Sequence, residues 1–228
     1  MTGLLSSENW IAELPAPVRS EILSAMTVRS LEAGDGLKAA GDVPDACYQV
    51  QSGFIKLMGL HPDGRPMLIG LYRSGNTFAE TSIVARRSGH KHTTIALVAT
   101  SVLRLAREDF WRLYRAHPEI PEALCRKFAR TITSLFQTRE QAAAYRLRER
   151  ILIVLENLAK YCGEQEPSGK VSFSLPLSNT DIAQHLDATR QAVQREMTAL
   201  QSAGTVTRRG GRWYLRLPAS QHLQATLE

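Results

Sequence analysis

Ser178-Asn179-Thr180-Asp181-Ile182-Ala183-Gln184-His185-Leu186-Asp187-Ala188-Thr189-Arg190-Gln191-Ala192-Val193-Gln194-Arg195-Glu196-Met197 is the stretch on which the reading of this chain turns. Ser178 stands three residues before Asp181, the spacing of a capping box. There, a hydroxyl and a carboxylate each accept a backbone N–H that a helix start leaves unpaired. A helix is therefore expected from Asn179, with Ile182, Ala183 and Leu186 inward and an end at Asp187-Ala188. Thr189 can cap a second helix, Arg190–Ala203, whose Val193, Met197 and Leu200 recur at i, i+4 and i+7. Gly204 then stands where glycine terminates helices. Two short helices joined by a three-residue turn make a helix-turn-helix, and Ala183 is small where the two should cross.

The buried set leaves Arg190, Gln191, Gln194 and Arg195 outward near the start of the second helix. Arginine can pair bidentately with O6 and N7 of guanine, and glutamine with adenine, so these four are the candidate base-reading residues. An ordinary amphipathic surface helix would show the same pattern. The segment after this helix is more specific. Val206-Thr207-Arg208-Arg209-Gly210-Gly211-Arg212-Trp213-Tyr214-Leu215 reads as a hairpin with a Gly-Gly turn. Arg208, Arg209 and Arg212 flank its tip, where they could meet phosphates beside the groove. Residues 188–216 hold six arginines against one acid, Glu196, which is five of the chain's six net positive charges. The expected partner is double-stranded DNA.

Upstream, residues 28–106 read as short strands punctuated by Gly34, Gly36, Gly41, Gly53, Gly64, Gly70 and Gly75. Asp63-Gly64 between two apolar runs is a hairpin signal, and many short strands suggest a barrel or jelly roll. Ile95–Ala99 and Val102–Leu105 are the expected closing strands, and a short helical entry is expected from Ser7 to about Met26. A short helix over 107–115 and a long one from Pro118–Pro121 to about Ala144 come next. Leu124, Phe128, Ile132, Leu135 and Phe136 form an apolar stripe on the long helix. It suits packing on its own domain or pairing with the same helix of a second copy. Tyr145–Tyr161 is another helix, and Val171–Leu177 a strand. The fold class is α+β. The expected division is a β-roll over residues 1–116, the long helix over 117–144 and a winged helix-turn-helix over 145–228, the first two taken as effector-sensing and dimerising on the resemblance described below.

The bulk properties exclude several classes. In 228 residues, 43% hydrophobic, no apolar run reaches the roughly 18–20 residues of a membrane span. The N-terminus lacks a basic region followed by an apolar core, so no secretory signal is expected. Cys47, Cys125 and Cys162 are dispersed and odd in number, which argues against a disulfide framework or a cysteine-ligated cluster. The expected location is the cytoplasm.

Residues 28–217 resemble the CRP/FNR (cyclic-AMP receptor protein) family of bacterial regulators. The resemblance is carried by Gly41, Tyr48-x-x-x-x-Gly53, Asp63-Gly64, Gly75-Asn76-Thr77-Phe78-Ala79-Glu80, His117-Pro118, Leu175-Pro176-Leu177 and Thr189-Arg190-Gln191-x-Val193-x-Arg195. It implies a jelly-roll sensor, a homodimer along the long helix (Leu124, Phe128, Ile132, Leu135), an inverted-repeat operator and RNA polymerase as a partner. By the resemblance Arg190, Gln191 and Arg195 touch bases, while Asn179, Thr189 and the wing arginines hold phosphates.

The sensor half departs from that pattern. Cyclic-AMP-binding members carry a Gly-Glu pair and an Arg-Ser pair. Here Ala79 precedes Glu80, and Thr93-Thr94 stand where a phosphate would need its bidentate cation. Leu135 and Phe136 occupy the positions that would face an adenine. Glu80, Thr93, Thr94, Leu135 and Phe136 are thus the candidate effector pocket, with an effector other than cyclic AMP expected. His92, near His90, is a candidate haem ligand by resemblance to haem-containing members. His90-x-His92 also echoes a two-histidine metal motif, but no carboxylate stands shortly downstream. No nucleophile–base set appears, and neither catalysis nor a metal is expected.

Overall fold

The structure is a computed structural model and describes residues 4–216 except Ser7 and Ser168. The expected entry helix, whose first residue Ser7 lies outside the described residues, forms two pieces. A 3-10 turn over Ile11–Glu13 is separated from α1 (Ala16–Ala25) by Pro15, which caps α1. The chain divides into two compact units, Ser6–Thr133 and Ser134–Glu228 together with Met1–Leu5.

In the first unit β1 (Thr27–Leu31), β2 (Gly36–Lys38), β3 (Ala46–Ser52), β4 (Phe54–Leu60), β5 (Pro66–Arg73) and β6 (Thr77–Phe78) lead into the short helix α2 (Glu80–Val84). β7 (Thr93–Ala96) and β8 (Thr100–Ala106) come after it, then α3 (Arg107–Ala116) and the long α4 (Glu119–Ala144). The strands pair antiparallel in two sheets, β1-β8-β3-β6 and β2-β7-β4-β5. One core unites Leu31, Leu37, Tyr48, Val50, Ile55, Phe78 and Val102. A second gathers Trp10, Ile22, Cys47, Leu105, Phe110, Ile120 and Leu124 where helices cover the roll. The hairpin expected at Asp63-Gly64 joins β4 to β5.

The closing strand expected over 95–99 runs instead over 93–96. Gly53, at φ +83°, explains why. A Cβ there would lie 2.6 Å from the Ala99 carbonyl oxygen and 2.4 Å from Thr100 Oγ1, so the two corners can cross only at a glycine. Leu97–Ala99 form that corner rather than a strand.

In the second unit α5 (Leu147–Cys162) begins where the Arg146 backbone N–H donates to Glu149. β9 (Glu164–Gln165) and β10 (Val171–Phe173) precede α6 (Asn179–Leu186), α7 (Arg190–Ser202), β11 (Val206–Arg209) and β12 (Arg212–Leu215). The sheet order is β11-β12-β10-β9. The strand expected to reach Leu177 ends at Phe173, because Pro176 has no N–H to continue a ladder. Leu175 and Leu177 are buried nonetheless. Ile151, Val154, Leu155, Leu158, Phe173, Ile182, Val193, Met197 and Trp213 are likewise fully withdrawn from water. By area arguments each such side chain contributes about 1.5–3 kcal/mol to holding these short helices, which would not persist alone.

Candidate nucleic-acid interface and the sensor carboxylate

α6 starts with the capping box read from the sequence. The Asp181 N–H donates to Ser178 Oγ at 3.1 Å, and the Ser178 N–H to the Asp181 carboxylate at 2.9 Å. Its end is set by Asp187, in the left-handed region at φ +48°, which reverses the chain toward Thr189. Thr189 Oγ1 accepts from the Ala192 N–H at 3.1 Å and starts α7. The turn is thus specified twice, by one residue that breaks a helix and one that begins another.

Val193, Met197 and Leu200 point into the core, which rotates Arg190, Gln191, Gln194 and Arg195 into solvent. Arg190, Gln191 and Arg195 have no side-chain partner among the described residues. The one acid of this helix, Glu196, receives Arg148 at 2.7 Å, so it does not draw the arginines back onto the protein. The edge therefore presents two uncompensated guanidinium groups near the helix N-terminus, whose own dipole favours an anion. Gln194 and Asn179 are less free. The Asn179 amide donates to Gln194 Oε1 across the turn, which fixes both side chains.

The wing turns at Gly210-Gly211, with φ +55° and +78°, the pair of positive values a two-residue hairpin loop requires. Arg209 is exposed at the tip. Arg208 is exposed too, with its guanidinium 4.7 Å from the centre of the Trp213 ring, a stacking that stiffens it without neutralising it. Arg212, expected to meet phosphate, turns the other way. Its guanidinium donates to Ser172 Oγ at 2.9 Å and pairs with Glu164, so its charge is spent inside the sheet.

Residues 28–117 match the cyclic nucleotide-binding domain family, and residues 134–226 the Crp-like helix-turn-helix domain. The chain belongs to the CRP/FNR family of transcription regulators. The nitrogen fixation regulation protein FixK of Rhizobium meliloti is 27% identical over 198 residues, covering 87% of this chain and 84% of that one. The solved structure of FixK2 from Bradyrhizobium japonicum superposes with a TM-score of 0.74 at 20% identity, over 84% of this chain and 93% of that one. The c-di-GMP responsive global regulator CLP of Xanthomonas campestris gives 0.73 at 18% identity, over 90% and 100%. These two structural likenesses speak to the fold alone. Membership of the CRP/FNR family makes this chain a DNA-binding regulator of transcription.

Glu80, the candidate effector carboxylate, is 1% exposed and forms an ion pair with Lys127 of α4. The Lys127 ammonium also donates to the Thr77 carbonyl at 2.7 Å and to Thr77 Oγ1 at 3.0 Å. Burial pushes its amine down to about 7, with the negative charge of Glu8 the largest influence opposing it. Sequence reasoning misses Lys127, because it looks like one of several cations around the helix. Yet Ile120, Ala123, Leu124 and Lys127 are all buried at i, i+3, i+4 and i+7. A lysine closing an apolar stripe is the signal that could have found it.

Thr93 Oγ1 accepts from the Ala40 N–H at 3.1 Å, while Thr94 is fully buried with its hydroxyl unpartnered. Neither supplies a cation. Leu135 and Phe136, expected in the pocket, are 63% and 64% exposed. The dimer stripe splits as well. Leu124 is buried in the core of its own unit and Phe128 packs against that core, because α3 and α1 cover this side of α4. Ile132 and Leu135 remain outside.

His90 is buried, with Nδ1 3.1 Å from Ser82 Oγ, and burial next to Lys38 pushes it down to about 4. His92 is half-buried, and it too is held below its ordinary value by burial and by the nearby cations Lys38, Lys91 and Arg87. A haem ligand needs an apolar slot around it, and this cationic setting does not fit one. Among the described residues no group of three or more His, Cys, Asp or Glu side chains could hold a metal ion. Nor is any described helix long and apolar enough to cross a membrane.

Proposed function

We infer that this regulator works in the cytoplasm as a homodimer on an inverted-repeat operator, and that α7 reads bases with Arg190, Gln191 and Arg195. The observation that carries the reading is the edge of α7. Two arginines and a glutamine face solvent without partners among the described residues, on a helix whose one acid is neutralised by Arg148. Leaving such groups unpaired costs nothing in water, and it keeps them available to a ligand that accepts hydrogen bonds. Thr189, Arg208 and Arg209 meet phosphates; Gln194 and Asn179 act as one bridged unit at the groove edge.

The second copy is supported by Ile132, Leu135 and Phe136, three large apolar side chains exposed in a row at i, i+3 and i+4. A parallel helix from a twin covers them and sets two reading heads one DNA turn apart, about 34 Å. Any signal it takes is something other than cyclic AMP. The candidate effector carboxylate Glu80 is occupied by Lys127, and Thr93-Thr94 offer a phosphate no cation. A bound dimer would contact RNA polymerase.

In-vitro selection from a random duplex pool tests this. The expected product is a two-fold symmetric site with half-sites about 10–11 base pairs apart, and binding that weakens steeply with salt. An asymmetric product, or no enrichment with or without cell extract, contradicts the reading.

A further inference from the structure

We propose that Lys127 is a built-in counter-ion that takes a ligand's place in the sensor and fixes α4, with its exposed apolar stripe, at one setting on the β-roll without a small-molecule effector.

The ammonium makes three bonds, and all of them go to one corner of the roll. Thr77 accepts with its carbonyl and hydroxyl, and Glu80 accepts with Oε1. Thr77 and Glu80 flank Ala79, which is held in the left-handed region at φ +74°. A Cβ in that region costs about 1–2 kcal/mol, so something must hold the corner closed, and Lys127 bridges its two sides. The other Glu80 oxygen is buried with no partner among the described residues, which leaves the carboxylate dependent on this one cation.

Buried ion pairs are poor sources of stability, since well-packed apolar residues of like volume do as well. What they supply is direction. Apolar contacts tolerate sliding and rotation; three bonds to one ammonium do not. A one-residue slip of α4 turns its side chains by about 100° and would take Lys127 out of reach of all three acceptors. The same helix carries Ile132, Leu135 and Phe136 one to three turns further on, and it runs without a break to Ala144. Lys127 thereby sets the azimuth of the exposed apolar stripe. Charged contacts on the same helix reinforce the setting: Arg130 reaches Glu8 at 2.9 Å and also pairs with Glu13, while Arg126 reaches Glu13 at 3.1 Å. The N-terminal segment is fastened to α4, and the Thr77 N–H donates to the Glu8 carbonyl at 3.0 Å. Lys127 is a positioning residue; it touches no DNA.

The inference rests on the DNA-binding reading, and the experiment separates the two. Full-length protein, dialysed free of small molecules, is titrated against its selected operator as wild type, Glu80→Gln, Lys127→Met, the double variant and Thr77→Val. Measurements are made well below each variant's unfolding temperature, with dimer mass and circular dichroism recorded alongside. Wild type is expected to bind without additives. Each single charge variant should bind at least tenfold more weakly, the double variant should lose less than the two single losses combined, and Thr77→Val should lose a few-fold. The salt slope should stay the same throughout, because no phosphate contact is removed. Should the charge variants fail to fold, Thr77→Val alone decides, since it keeps the ion pair. Folded variants that bind like wild type overturn the inference. Wild type that binds only after addition of cell extract also overturns it while sparing the DNA-binding reading; wild type that binds no DNA in either condition overturns that reading itself.

Discussion

Arg195 of α7 and Lys127 of α4 are both cations on helices, and they are treated in opposite ways. Arg195 stands in water with no partner among the described residues, on a helix whose acid is taken up by Arg148. Lys127 is 7% exposed and surrounded by three acceptors from the roll. Free charge marks where the molecule meets another; consumed charge marks where it holds itself. The family resemblance alone would have assigned the reverse to the sensor, where Glu80 is the group expected to wait for a ligand.

The contrast has its largest consequence at the dimer. In the proposed dimer the free arginines of one chain would read half a site, so their value would depend on the exposed stripe that brings in the second copy. Phe136→Glu places a charge in that stripe. It should convert the dimer to monomer at micromolar concentration in analytical ultracentrifugation and weaken operator binding by a hundredfold or more, since a lone head keeps little beyond non-specific affinity. An intact dimer with unchanged binding would remove the stripe from the account.

A smaller effect sharpens the consumed side. His90 is buried and held down to about 4, first by burial and then by Lys38. The unfolded chain, with an ordinary histidine value of 6.5, takes up its proton first as pH falls. Stability is therefore complete above about pH 6.5 and lost progressively between 6.5 and 4. From about pH 7 to about pH 5 this one group should cost about 1–2 kcal/mol. Denaturant unfolding of wild type and His90→Gln at both pH values checks it. An equal loss in both proteins would mean His90 is not the group responsible.

The smallest effect places both kinds of charge within one wing. Arg209 is free and Arg212 is bound to Ser172 and Glu164. Arg209→Ala should weaken all DNA sequences alike, by several-fold at low salt, and lower the salt slope by about one. Arg212→Ala should leave that slope alone and instead lower the unfolding temperature by a few degrees. Identical behaviour of the two variants would erase the distinction.

How far these outcomes could be read from the amino-acid order differs between the two units. Helix-turn-helix geometry was legible because it depends on neighbours in sequence. Ser178 and Asp181, Thr189 and Ala192, and Gly210 and Gly211 settle their own surroundings. Arg190 and Arg195 follow from the Val193–Met197–Leu200 face with no other information. The sensor was less legible because its decisive contact joins positions 47 residues apart, Glu80 and Lys127. No periodicity links them. The same limit explains Leu124 and Phe128, whose apolar character suits a partner helix and their own core equally. It also explains Arg212, whose acid Glu164 lies in a separate strand.

The central claim, that the free edge of α7 reads base sequence, is tested most directly by the ratio of operator to random-duplex affinity for wild type and Arg195→Ala under identical salt. The ratio should fall by roughly ten- to a hundredfold, equivalent to about 1–3 kcal/mol, while random-duplex affinity drops only slightly. If both affinities fall by the same factor, Arg195 touches backbone rather than bases, and the claim fails.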